Sequence, residues 1–135
     1  EIVANKKINI ILVKAGDIIK IDKYIYFKII FPTEKLIMQN PLNNNSIVSQ
    51  LNYKSFKMLF TGDIEEMAEK EILNLQKDKL KSTILKVAHH GSNTSSTQEF
   101  KTSVKPEFAL IGVGKNNTFE HPSECVVEKL RDLRY

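Results

Sequence analysis

The sequence has 135 residues, 41% of them hydrophobic and 27% charged, and a net charge of +4. This is the balance of an ordinary globular domain, or a piece of one, long enough to bury a core. With Cys125 as its single cysteine it excludes an intrachain disulfide framework and a cysteine-cluster metal site. No run approaches the roughly 18 apolar residues of a membrane-spanning helix, and no stretch has the form of a signal peptide. The modest positive charge suits a polyanionic partner, but a surplus of this size is common among proteins that bind none.

Ile8–Val13 and Asp17–Ile21 read as strands flanking a turn at Ala15-Gly16, and Tyr24–Phe31 follows as a third, ended by Pro32. Residues 33–45 lack a period and finish in Pro41-Leu42-Asn43-Asn44-Asn45, a loop signal. Ser46–Asn52 and Ser55–Phe60 read as paired strands joined at Tyr53-Lys54. The period then changes. Ile64, Met67, Ala68 and Ile72 recur at helical spacing, with Glu65, Glu66, Glu69, Lys70 and Glu71 mostly on the other face. The Lys-rich stretch from Lys77 to Lys86 fits a solvated helix end and loop, with nucleic-acid contact as the alternative. Thr83–Val87 predicts a strand, 97–104 a short helix, Phe108–Val113 a strand, and 123–133 a helix with Cys125 at a core position. A β-meander followed by alternating α and β predicts a sheet with helices packed on its outer face.

Three short groups suited to chemistry each follow a predicted strand. Asp63, in Thr61-Gly62-Asp63, has Glu66 three residues on, the form of an N-terminal capping box. The same carboxylate keeps a free oxygen for a metal, so the two roles are compatible. His89-His90-Gly91-Ser92 follows a buried β-run and leads into a Ser/Thr-rich tail; the alternative is a polar surface loop. Adjacent histidines point to different sides of an extended segment, so one metal is not expected to take both. His121, in Asn116-Asn117-Thr118-Phe119-Glu120-His121-Pro122, is the third and last histidine. Imidazole and carboxylate are the ligands preferred by Zn, Mn and Fe in hydrolytic sites. Gly112-Val113-Gly114-Lys115-Asn116 fails as a phosphate loop, because Ala109 stands where the first Gly is required and Asn116 where Ser or Thr is.

Together these strings resemble the ComEC/Rec2-like branch of the metallo-β-lactamase superfamily. The likeness rests on Asn43-Asn44-Asn45-Ser46-Ile47-Val48, Leu59–Asp63, Leu85–Ser92, and Gly114-Lys115-Asn116-Asn117 with His121-Pro122, in that order. It implies an α/β (α+β) fold: the C-terminal half of an αββα sandwich, with a mixed sheet and about three helices on one face. It also implies a divalent metal, Zn or Mn, in the complete domain, with Asp63, His89 and His121 as candidate ligands. Asp63, His90 and His121 become candidate catalytic residues, with His90 or His121 assisting proton transfer, and Ser92 and Thr94 candidates to hold phosphate oxygens. Glu120 stands where the family usually has Gly before its histidine. The family's HxHxDH motif has no counterpart, since no histidine precedes His89. The resemblance therefore implies a second half-domain, with the metal not necessarily held by this fragment.

The implied function is part of a metal-dependent phosphodiesterase or nuclease linked to DNA uptake. The alternative is a non-catalytic half-domain that binds or scaffolds. Expected partners are the N-terminal half of the domain or a second copy, with DNA a candidate and no membrane insertion by this chain. The implied location is a soluble domain tethered to the outer face of the bacterial cytoplasmic membrane. On this reading Asp63, His89 and His121 converge on one sheet edge. Ile11, Tyr26, Ile30, Val48 and Leu59 face the absent sheet, while Met67, Ile72, Val126 and Leu130 hold helices to the opposite side.

Overall fold

The computed structural model describes Lys6 and residues 8–131. Among them, six strands form one sheet in which spatial order equals sequence order, β1-β2-β3-β4-β5-β6. β1 (Ile18–Lys20) and β2 (Ile25–Phe31) are antiparallel, and the Asp22 carboxylate closes their turn by accepting from the Tyr24 and Ile25 amides at 2.6 and 2.8 Å. β3 (Val48–Tyr53) and β4 (Phe56–Phe60) form a hairpin whose two linking residues are Lys54 and Ser55. β5 (Ile84–Lys86) and β6 (Phe108–Leu110) then add in parallel. Each parallel step requires a crossover, and helices supply both. α2 (Glu66–Gln76) links β4 to β5, and α3 (Gln98–Val104) links β5 to β6. α1 (Pro41–Asn44) lies before β3, and α4 (Glu124–Arg131) follows β6.

The core lies on one face of the sheet. Ile30, Phe31, Val48, Leu59 and Leu85 meet Ala68, Ile72 and Leu73 of α2, Phe100 and Val104 of α3, and Val126 of α4. The mixed sheet with α2, α3 and α4 against it has the expected class; the one-turn α1 is an addition. Three expectations about packing are corrected. Ile30, Val48 and Leu59 lie on the helix-covered side, not the open one, and the pairing of Tyr26 with Asn52 puts Tyr26 on that side too. Ile8–Val13 forms no strand, and Ile11, 79% exposed, lies on neither face. Met67 and Cys125 are exposed, so Ala68 and Val126 make the contacts expected of them.

The opposite face is apolar as well. Register places Phe27, Leu51, Met58 and Ile84 side by side across four strands, flanked by the Ile25–Tyr53–Phe56 row. The Phe27 and Phe60 rings lie 6.1 Å apart there. Most of these side chains are half-buried, while Tyr53 and, at the flanks, Ile19, Phe108 and Leu110 are exposed. A strand that is apolar on both faces does not disclose by alternation which face is which, and a slip of one residue exchanges the two sets.

Candidate functional site

Parallel register fixes where the chemical groups emerge. Phe60 pairs with Lys86, and Lys86 with Leu110, so β4, β5 and β6 end level. Asp63 lies three residues beyond the first of these ends and His89 three beyond the second. The chain after β6 runs through Gly112–Gly114 and turns back at His121. The carboxyl ends of parallel strands are the usual place for a ligand in open α/β sheets. Thr61 ties two of these ends together, its hydroxyl donating to the Lys86 carbonyl at 2.6 Å.

The turn after β5, Ala88–Gly91, carries both histidines in the left-handed region, at φ 47 for His89 and 55 for His90. Two close approaches hold it. The His89 amide donates to the Gly62 carbonyl at 3.0 Å. Gly91 packs so tightly on the late loop that a Cβ there would lie 2.7 Å from Pro122 Cβ, at a φ of +82 that L side chains rarely adopt. The Ser123 amide also donates to the Gly91 carbonyl at 3.0 Å. His121 thereby comes against the His89 loop: their rings are 5.9 Å apart, edge to face. Asn117 fixes the His121 backbone, accepting from its amide at 2.9 Å and donating to its carbonyl at 2.7 Å.

Asp63 is not a helix cap. Glu65 occupies that position, with no side-chain cap bond, so the expected capping box is absent and the Asp63 carboxylate is left half-exposed. Its Oδ1 lies 3.7 Å from His90 Nε2, while His90 Nδ1 donates to the Gly112 carbonyl at 2.6 Å. The partner of His89 is a residue that the sequence placed on a solvated helix face. Glu65 Oε1 is 3.7 Å from His89 Nδ1, and both side chains are mostly buried. The asparagine run, read as a loop signal, turns out to hold this carboxylate. Asn40 donates to Glu65 at 2.9 Å, Asn43 at 3.4 Å and Asn44 at 3.3 Å, while Asn44 Oδ1 accepts from the Glu65 amide at 3.1 Å. The signal was there to find in the amide-rich segment just ahead of β3, because one buried carboxylate satisfies several side-chain amides.

Ser92 is buried with its hydroxyl 3.0 Å from that of Thr94, which is exposed and also lies 3.4 Å from His89 Nδ1. An open cleft of about 390 Å³ lies beside His90 and His121, walled by Gly112, Val113, Gly114, Asn117 and Phe119. A larger cavity, about 770 Å³, lies between β6, α3 and α4 and contains none of these groups.

The structure thus pairs Asp63 with His90, and His89 with Glu65 and His121. Among the described residues, no group of three or more His, Cys, Asp or Glu side chains is placed to hold a metal ion. Asp63, His89 and His121 are not gathered as one such group, so by themselves they do not fit a resident Zn or Mn, whose sites place three or four donors around a single ion.

Comparison with known proteins finds no matching family model. It does find similarity to segments of much longer proteins, several of them named for competence or recombination. ComE operon protein 3 of Bacillus subtilis is 34% identical over 119 residues, 88% of this chain and 15% of that protein. Competence protein ComA of Neisseria gonorrhoeae is 32% identical over 105 residues, 78% of this chain and 15% of that protein. Recombination protein 2 of Haemophilus influenzae is 30% identical over 106 residues, 78% of this chain and 13% of that protein. The chain therefore spans about 15% of the length of the first of these curated relatives. No helix among the described residues is long and apolar enough to cross a membrane.

Proposed function

We propose that this chain serves competence and DNA uptake as one half of a metallo-β-lactamase-like phosphodiesterase or nuclease domain. It would contribute Asp63, His89, His90 and His121 to a site completed by other donors. The observation that carries this reading is the level ending of β4 and β5, which delivers Asp63 and the histidine pair to one sheet edge, with His121 folded back against His89. Similarity to relatives named for competence supports the biological setting.

Within that site, His90 is the proton-transfer residue. With Nδ1 engaged by the Gly112 carbonyl, Nε2 is the nitrogen left to take or give a proton beside Asp63. Thr94 offers the accessible hydroxyl for a phosphate oxygen, and Ser92 backs it. Zn or Mn belongs to the complete domain on this reading, with donors from another segment joining Asp63, His89 and His121. The open apolar face receives a second sheet at about 10 Å, the spacing of packed sheets. The complete domain is tethered at the outer face of the cytoplasmic membrane.

The test is cleavage of single-stranded DNA and bis-p-nitrophenyl phosphate with added Zn or Mn, by the chain alone and by the native polypeptide that carries it. The expected result is chelator-sensitive cleavage by the latter, lost on Asp63→Asn, and none by the chain alone. Cleavage by the pure chain would overturn the incomplete-site reading. The lack of any three-donor group among the described residues favours a second reading, a non-catalytic binding or scaffolding half-domain. Absence of cleavage by both polypeptides would select it.

A further inference from the structure

We propose that the cleft beside His90 and His121 is a nucleobase subsite in which Phe119 is the stacking platform for a base of single-stranded DNA. The inference rests on the nucleic-acid reading above and adds to it which part of the substrate this chain holds. Phe119 is 76% exposed, so its ring is accessible to a ligand. Its ring lies near-parallel to that of His121, with centroids 5.9 Å apart and planes 23° from parallel, while most of the residue remains exposed. The loop that carries both rings is pinned at its base, where Asn117 donates to the Gly114 and His121 carbonyls at 3.0 and 2.7 Å. A platform on a fixed loop needs little ordering when a base arrives.

The walls suit the rest of a nucleotide. Gly112–Gly114 presents backbone without side chains at two of three positions, which leaves room for a flat ring. Lys86 lies behind it, with its Cε 3.6 Å from where a Gly112 Cβ would be and its ammonium donating to the Val87 carbonyl at 2.9 Å; Lys115, exposed on the same loop beyond the cleft wall, is the cation available to a phosphate. Aromatic rings interleaved with cationic side chains form the usual surface for single strands, because every base has a π-face and every linkage a negative charge. His90, the proposed proton-transfer residue, lines the same cleft, so a base stacked on Phe119 would set the register of the strand relative to it.

The chain has no tryptophan, so Phe119→Trp introduces a single indole reporter at the platform. Titration of this variant with oligothymidylate should quench its emission, whereas an abasic oligomer with the same number of phosphates should not. Phe119→Ala should weaken oligothymidylate binding on the order of tenfold, within the range of one stacked base, and leave binding of the abasic oligomer unchanged. Binding that ignores the bases, with unquenched indole and no loss in Phe119→Ala, would overturn the stacking proposal and leave the nucleic-acid reading standing. Binding of neither oligomer would remove both.

Discussion

Glu120 illustrates how a single departure from a family pattern is accommodated. The resemblance expects Gly before the histidine, and the backbone at Glu120 indeed takes φ 56, the left-handed conformation that Gly adopts freely. A non-Gly residue there costs roughly 1–2 kcal/mol, and Gly returns part of that through a more flexible unfolded chain. The Glu120 side chain is exposed, so its removal loses little packing. Glu120→Gly should raise stability by about 0.5–1 kcal/mol, read as a shift of the urea midpoint. An unchanged or lowered midpoint would contradict it. The substitution itself was visible in the sequence but the conformation at this position was not, and neither was the partner of His89. Glu65 looks like any acidic residue opening an amphipathic helix, and only the fold brings Asn40, Asn43 and Asn44 across to it.

At the scale of elements, helical spacing located α2 because Ala68 and Ile72 recur on the face that reaches the core. The apolar run Ile8–Val13 misled, since composition makes a strand only where a neighbour offers a ladder, and these residues find none. The joint between α2 and α3 has a titrating hinge-pin that patterning could not reveal. Glu69, fully buried on α2, accepts from the Ser96 and Thr97 amides at 2.6 and 2.8 Å, just ahead of the first turn of α3. Burial raises its pKa above the ordinary 4.5 and outweighs those hydrogen bonds, with Glu66 adding slightly in the same direction. A folded-state pKa above the unfolded one gives a contribution fully present below pH 4.5 and lost as pH rises through the raised value. The stability of the wild type relative to Glu69→Gln should therefore decline across that window. Urea midpoints of both proteins, measured from below the ordinary carboxylate range to neutrality, check this; a difference that stays flat or grows with pH would refute it.

For the whole molecule, the decisive feature is a sheet that is apolar on both sides and, among the described residues, carries helices on one. Large contiguous apolar faces are uncommon on isolated monomers and mark interaction surfaces. The chain alone should self-associate or bind ANS through the Phe27–Leu51–Met58–Ile84 row. Replacing the directly opposed pair with charges, Leu51→Glu together with Met58→Lys, should restore a monomer and suppress dye binding, because the helix-side core is untouched. Sizing at low concentration with ANS fluorescence decides it. A wild-type monomer that ignores the dye would show that the face is already closed. Which residues lie on which face could not be assigned from the sequence, because strands such as Ile25–Phe31 are apolar at nearly every position.

The sheet whose spatial order repeats its sequence order has a consequence for biosynthesis. Each strand docks on the one made just before it, so no early strand has to wait, with its edge unsatisfied, for a distant segment still to be translated. The sheet can grow vectorially as the polypeptide leaves the ribosome, and its pairings close short loops at small entropic cost. The two parallel additions come last, since each must follow its crossover helix. The strand ends that present Asp63 and the histidines are therefore brought level only after the antiparallel part of the sheet has formed.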